Sequence, residues 1–166
     1  IAPLTLNNPG KLTAVNLRMW LQLAENMAVL AVDCDIRCIV LRGAGDEAFA
    51  AGGDLEEFVT ARSTLEQALH YHGQVAAALN AIADCPHPTV ALIQGACIGG
   101  GIDLICCADM RFCSADAFFS IKEIDMGMTA DVGTLQRLPK LIGDGMVREL
   151  AYTGRKFLSE EARSCG

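Results

Sequence analysis

The sequence contains no apolar run long enough to cross a bilayer as a helix, for which roughly 18 uninterrupted residues are needed. Its most apolar stretch, Thr89 to Cys107, is broken by Gln94, by glycines and by Asp103, and reads as buried core. A basic stripe is missing as well. The 13 Lys and Arg are scattered among 20 Asp and Glu, leaving a net charge of −7. A duplex-binding domain concentrates positive charge on one face, so nucleic acid is not expected as a partner. A small anionic ligand stays open, because a few local cations or a helix N-terminus suffice for one. The eight cysteines include no CxxC pair and no Cys/His metal spacing. Cys97, Cys106, Cys107 and Cys113 lie in core-like sequence, which predicts reduced thiols in a reducing compartment. No G-x-G-x-x-G follows a strand and no G-K-[ST] occurs, which excludes the dinucleotide and P-loop fingerprints. No G-x-S-x-G elbow is present, and Ser114 and Ser120 have no evident His partner. Linkers, repeats and low-complexity tracts are absent. With 166 residues and 52% hydrophobic content, one domain over 1–166 with a sizeable core is expected.

What is present alternates between strand and helix signals. Leu4 to Leu6 begins an apolar strand, and Asn7-Asn8-Pro9-Gly10 supplies a turn. Asn16 is placed to cap a helix to about Val32, with Leu17, Trp20, Leu21, Ala24, Met27 and Ala28 on one face. Ile36 to Arg42 and Thr89 to Gln94 read as strands, and Asp54 as the cap of a short helix. A long helix is expected from about Thr64 to Ala83, stopped by Cys85-Pro86-His87-Pro88. Gly99 to about Ala108 reads as a helix, Met110 to Cys113 and Ala117 to Ile121 as strands. Helices capped by Asp131 and Ser159 flank a further one from Gly143 to about Thr153. This order argues an α/β layered fold. The chain opens on Ile1 and closes on Gly166 directly after a helix, the pattern expected of a piece of a longer protein, with any targeting segment outside it.

The most informative feature is the triplet Gly99-Gly100-Gly101 followed by three acids, Asp103, Glu123 and Asp131. Consecutive glycines let a backbone bare its N–H groups to a ligand, and Gly52-Gly53 offers a second such place. Carboxylates grouped there suggest proton transfer beside a stabilised negative charge. Plainer readings stand beside this one: helix–strand packing for the triplet, an N-cap for Asp131 and a solvated loop acid for Glu123. Asp116 and Asp125 are read as solvated, His70 and His72 as surface residues, and His87 as part of a turn.

Four segments in order carry a resemblance: Ala48-Phe49-Ala50-Ala51-Gly52-Gly53-Asp54-Leu55, Cys85-Pro86-His87-Pro88-Thr89-Val90-Ala91, Gln94-Gly95-Ala96-Cys97-Ile98-Gly99-Gly100-Gly101, and Leu135-Gln136-Arg137-Leu138-Pro139. On these the chain resembles the enoyl-CoA hydratase/isomerase (crotonase) superfamily from Leu4 to Gly166. The resemblance implies a crotonase-like spiral of ββα units, followed by a helical C-terminal region that builds trimers or hexamers and is largely missing here. Hydratases of that family carry glutamates at the positions matching Asp103 and Glu123. The Δ3,5-Δ2,4-dienoyl-CoA isomerase branch carries Asp at the first, Glu at the second and a third acid eight residues on, as this chain does. Gly53 departs from that branch, which often has a bulkier residue there; a backbone N–H survives such a swap.

By this resemblance, the N–H groups of Gly53 and Gly100 would form an oxyanion hole for an acyl-CoA thioester, and the backbone of Ala51 would lie against its adenine. Glu123 would work beside C2 and Asp131 toward C6, with the direction of proton transfer left open. Asp103 would be bonded to Glu123 or help set its charge. No metal and no cofactor beyond the substrate's own coenzyme A is implied. The expected role is in fatty-acid β-oxidation, with 2-enoyl-CoA hydration as the alternative and a non-catalytic subunit as a third reading. A bacterial protein would be cytoplasmic, a eukaryotic one mitochondrial or peroxisomal.

Overall fold

The computed structural model describes residues 1–166, and their strands form two four-stranded sheets. The first sheet has the order β1-β2-β4-β6, from β1 (Ala2–Leu6), β2 (Ile39–Gly43), β4 (Thr89–Ile93) and β6 (Met110–Cys113), all parallel. The second has the order β3-β5-β7-β8, from β3 (Ala48–Ala50), β5 (Ala96–Ile98), β7 (Phe118–Ser120) and β8 (Phe157–Leu158), parallel except for β8. The successive pairs β2–β3, β4–β5 and β6–β7 each give one strand to each sheet before helical segments return the chain. The pair β2–β3 is followed by α2 (Leu55–Ala61) and α3 (Leu65–Ala83), and the pair β4–β5 by α4 (Gly100–Cys107). This is a spiral of ββα units.

The corners between sheets explain one tripeptide of the sequence, Gln94-Gly95-Ala96. Gly95 has φ +52°, and a Cβ there would run into the Glu47 carbonyl of the preceding turn. Gln94 Nε2 donates to the carbonyls of Gly43, Gly45 and Ala48 at 3.1, 3.1 and 3.3 Å. One amide thus stitches neighbouring corners. At the other end of β4, Thr89 donates from N and Oγ1 to Asp109 Oδ2 at 2.8 and 2.9 Å, fixing its start against β6.

Helix α1 (Leu17–Ala31) starts where Asn16 Oδ1 accepts the N–H of Met19. Its buried stripe is Trp20, Leu23 and Met27, at i, i+3 and i+7. Leu23 takes the place expected for Leu21, and Ala28 is exposed. Burying each of these large side chains contributes about 1.5–3 kcal/mol. Helix α3 opens on a capping box in which Thr64 and Gln67 satisfy each other's backbone N–H groups, worth about 1 kcal/mol. Its buried Val75, Leu79 and Ile82 meet the α1 stripe in the same core as Phe49, Ile102 and Leu104.

Several expectations are corrected. Strands β3, β5 and β8, of two or three residues, were too short to show a period. The strand expected from Ile36 starts at Ile39. The helix expected from Asp131 is two four-residue pieces, α5 (Thr134–Arg137) and α6 (Pro139–Ile142), because Pro139 cannot continue the ladder. Helix α7 (Asp144–Thr153) follows. Ser159 is the first residue of α8 (Ser159–Cys165) and does not cap it; its hydroxyl donates to the Ala115 carbonyl at 2.8 Å. Cys113 is exposed, whereas Cys97, Cys106 and Cys107 are buried, and all eight cysteines are free thiols.

Candidate active site

The loop after β3 is held by backbone bonds to the segment before α1. Ala51 N donates to the Leu12 carbonyl at 3.1 Å, Val15 N to Gly52 at 2.8 Å and Asp54 N to Val15 at 3.0 Å. Asp54 then caps α2 through the N–H of Glu56 and pairs with Lys11 at 2.8 Å. Between these anchors the N–H of Gly53 has no protein acceptor.

The glycine triplet divides into three different jobs. Gly99 has φ +50° and ψ −114°, a conformation closed to other residues, and donates its N–H to Ser120 at 3.0 Å. Gly100 opens α4 and its N–H is unpaired. A methyl built on Gly100 would lie 3.5 Å from Gly53 N, 3.6 Å from the Trp20 ring and 3.7 Å from the Gly52 carbonyl carbon. Two free donors thus sit side by side beneath Trp20. Gly101 answers to the plainer reading: a Cβ there would press on the Ala50 carbonyl at 2.7 Å, so it serves close packing of α4 on β3.

The acids converge on the same place. Glu123 begins a single 3-10 turn after β7, and its Oε1 lies 3.1 Å from where a Gly99 Cβ would sit. Its Oε2 is buried without a partner, so Glu123 is not a solvated loop acid. Asp103, on the first turn of α4, is only 1% exposed. It does not bond Glu123: its Oδ1 accepts from Thr134 N at 2.8 Å and Thr134 Oγ1 at 2.7 Å. Asp131 is not a helix cap, because α5 begins three residues later behind Gly133. Its exposed side chain makes no hydrogen bond, and Gln136 bonds only its carbonyl, at 3.1 Å.

These residues line one cleft of about 380 Å³, which takes in Ala51, Gly53, Gly100, Asp103, Glu123 and Asp131 together. A larger hollow of about 700 Å³ lies elsewhere, on an apolar wall whose only carboxylate is Glu160. It lacks the chemistry. In the cleft, burial raises the Glu123 carboxyl above its ordinary value, against a smaller pull from its own N–H, and the charges of Asp103 and Asp131 push further upward. Burial also raises Asp103, opposed by the two Thr134 bonds and the Arg137 cation.

Known proteins resemble this chain in sequence and in fold. The sequence pattern of the family described as Enoyl-CoA hydratase/isomerase matches residues 1–166. The chain belongs to that family. It is 41% identical to the mitochondrial Delta(3,5)-Delta(2,4)-dienoyl-CoA isomerase of Homo sapiens, over 97% of this chain and 52% of that protein. It is 30% identical to the crotonyl-CoA hydratase of Syntrophomonas wolfei, over 100% of this chain and 63% of that one. The crystal structure of an enoyl-CoA hydratase/carnithine racemase from Magnetospirillum magneticum superposes with a TM-score of 0.93 at 36% identity, covering 98% of this chain and 61% of that one. The chain spans about half the length of the human relative. The crotonase-type spiral expected from the four sequence segments is the fold observed.

Within this enoyl-CoA hydratase/isomerase core, the sequence pointed to the donors and acids but missed most of the opposite wall. Phe58 and Tyr71 meet edge-on at 5.6 Å, and the Arg62 guanidinium lies 4.5 Å over the Phe58 ring. Their only signal was a place in α2, at its end or in α3, which says nothing of the face they share. Trp20 was legible solely as part of the α1 stripe. His72 reaches the cleft rim while exposed, and His70 is exposed as well, in keeping with surface roles. Asp125 pairs with Lys122 at 2.6 Å in the open.

Proposed function

We propose that the complete protein isomerises 3,5-dienoyl-CoA thioesters to the conjugated 2,4-dienes. The observation that carries this reading is that Glu123 and Asp131 share one cleft with the free N–H groups of Gly53 and Gly100. The thioester oxygen accepts both N–H groups. Glu123 takes the proton from C2, the electron pair spreads as an enolate through both double bonds, and Asp131 gives a proton to C6; exchange with solvent at the exposed Asp131 then carries the proton off Glu123 and restores one to Asp131. The double bonds move from 3,5 to 2,4 with no net gain or loss of atoms. The two donors meet charge that develops on oxygen, and each such donor is worth about 3–4 kcal/mol of barrier. The raised proton affinity of Glu123 suits a group that must hold a proton between steps. Asp103 acts through charge rather than contact.

Hydration needs a water held between two acids at positions 103 and 123. Asp103 turns its Oδ1 to Thr134 instead, which supports isomerisation over hydration. The adenine of coenzyme A would rest on the Ala51 backbone at the cleft wall, and assembly into trimers or hexamers is part of the same proposal. Ultraviolet absorbance tests the reaction: the conjugated product absorbs at longer wavelength than the 3,5-diene, whereas hydration erases the enoyl chromophore. Asp131→Asn is expected to abolish the isomerisation signal while thioester binding persists. Unimpaired turnover in that variant, or hydration alone in the parent protein, would sink the proposal.

A further inference from the structure

We propose that Thr134 is a positioning residue: it fixes the carboxyl group of Asp103 and so sets both the charge that Glu123 meets and the placement of Asp131. The catalytic part of this rests on the isomerase reading above; the contact itself rests on geometry. Thr134 is 1% exposed and directs two donors at one oxygen, its N–H and its hydroxyl both reaching Asp103 Oδ1, at 2.8 and 2.7 Å. Oδ2 has no protein partner, so a proton carried by Asp103 resides there. Arg137, one turn further along α5, packs under Gly133 near the same carboxyl and is tethered to Asn80 of α3 at 3.0 Å.

The bond joins two pieces of the site that are remote in sequence. Asp103 lies three residues after Gly100 on α4, and Thr134 lies three residues after Asp131. Thr134 therefore ties the segment that presents Asp131 to the helix that presents a donor N–H. A shift of about 1 Å between such parts lowers turnover on the order of a hundredfold.

The groups facing Asp103 are Glu123 and Asp131 from beyond β7, Arg137 from α5, and the thiols of Cys97, Cys106 and Cys107 from β5 and α4. Removing the hydroxyl leaves all of them in place. It withdraws one donor from the ionised form of Asp103, so that carboxyl holds its proton to higher pH.

Two variants of the complete protein separate hydroxyl from shape. Thr134→Val keeps the branched outline and loses the donor; Thr134→Ser keeps the donor and loses the methyl. Each is measured for kcat and KM on the dienoyl thioester. The Asp103 carboxyl is titrated by carbon-13 NMR in the ligand-free protein, with Asp103→Asn giving the assignment. Val is expected to lower kcat by about 10- to 100-fold with KM within about twofold, and to move the Asp103 titration upward. Ser is expected to stay near the parent in all three. An unchanged titration in Val, or Ser worse than Val, overturns the proposal in favour of methyl packing. If the parent protein does not isomerise dienes, the isomerase reading falls, and the titration alone decides the role of Thr134. Thr134→Ala provides a second variant without the hydroxyl if Val does not fold.

Discussion

Gly100→Ala is the substitution in which stability and activity are expected to move in opposite directions. Gly100 has ordinary helical geometry at the start of α4, and the nearest atoms to an added methyl are Gly53 N at 3.5 Å and the Trp20 ring at 3.6 Å. Both are normal van der Waals contacts, so nothing in the folded protein must move. Replacing glycine at such a site stabilises by about 0.4–1 kcal/mol, because the unfolded chain has less freedom to lose. The same methyl, however, stands in the space where an oxygen about 2.9 Å from both N–H groups has to sit. With that oxygen displaced from at least one donor, the barrier rises by about 3–4 kcal/mol, a fall in kcat of roughly 100- to 1,000-fold. Denaturant unfolding and the ultraviolet assay on the complete protein check the two halves. Undiminished turnover would show that Gly53 and Gly100 do not receive the thioester oxygen. Lost stability would show that the space beneath Trp20 is tighter than the structure has it.

Two further outcomes follow from the cleft walls and its acids. Glu123→Gln should abolish isomerisation yet make the fold relatively more stable as pH rises. A carboxyl whose folded value lies above its unfolded 4.5 binds more protons when folded, so the parent loses stability as pH climbs through that interval while the glutamine does not. Unfolding curves that stay parallel from acid to neutral pH would contradict this. Gly53→Ala should destabilise by about 1–3 kcal/mol, because its Cβ would meet the Phe58 ring at 2.8 Å. Phe58→Leu should relieve that penalty, with a coupling above about 0.5 kcal/mol in a double-mutant cycle; strict additivity would mean that the two do not touch.

How much of this was legible beforehand depends on the range of the interaction. Local chemistry was readable: Asn16 and Asp54 cap helices as expected, Pro86 and Pro88 follow the end of α3, and β4 is a strand buried except at Leu92. Three-residue strands were not, since β3 forms by pairing with β5, and β5 by pairing with β3 and β7, each across a full turn of the spiral. Spacing singled out the glycine segments and the three acids, the family resemblance picked Gly53 and Gly100 from them, and Gly53, Gly100, Glu123 and Asp131 do meet in one cleft. The partner of Asp103 was not. It lies 31 residues away, at Thr134, and only the return of α5 onto α4 brings them together. The same return explains why Asp131 is no cap: the chain uses those residues to reach the cleft and begins its helix afterwards.

The separation of the two donors has an origin beyond the site. Gly53 follows β3 and Gly100 follows β5, and these strands are ladder neighbours, with Ala48 opposite Ala96 and Ala50 opposite Cys97. Adjacent strands stand about 4.8 Å apart wherever sheets form. The chemistry therefore borrows its ruler from backbone pairing, and side chains in the surrounding pocket can be exchanged without recalibrating it. On the proposed reading, a scaffold of this kind takes up new substrates by changing walls and acids while strand pairing keeps its two free amides together.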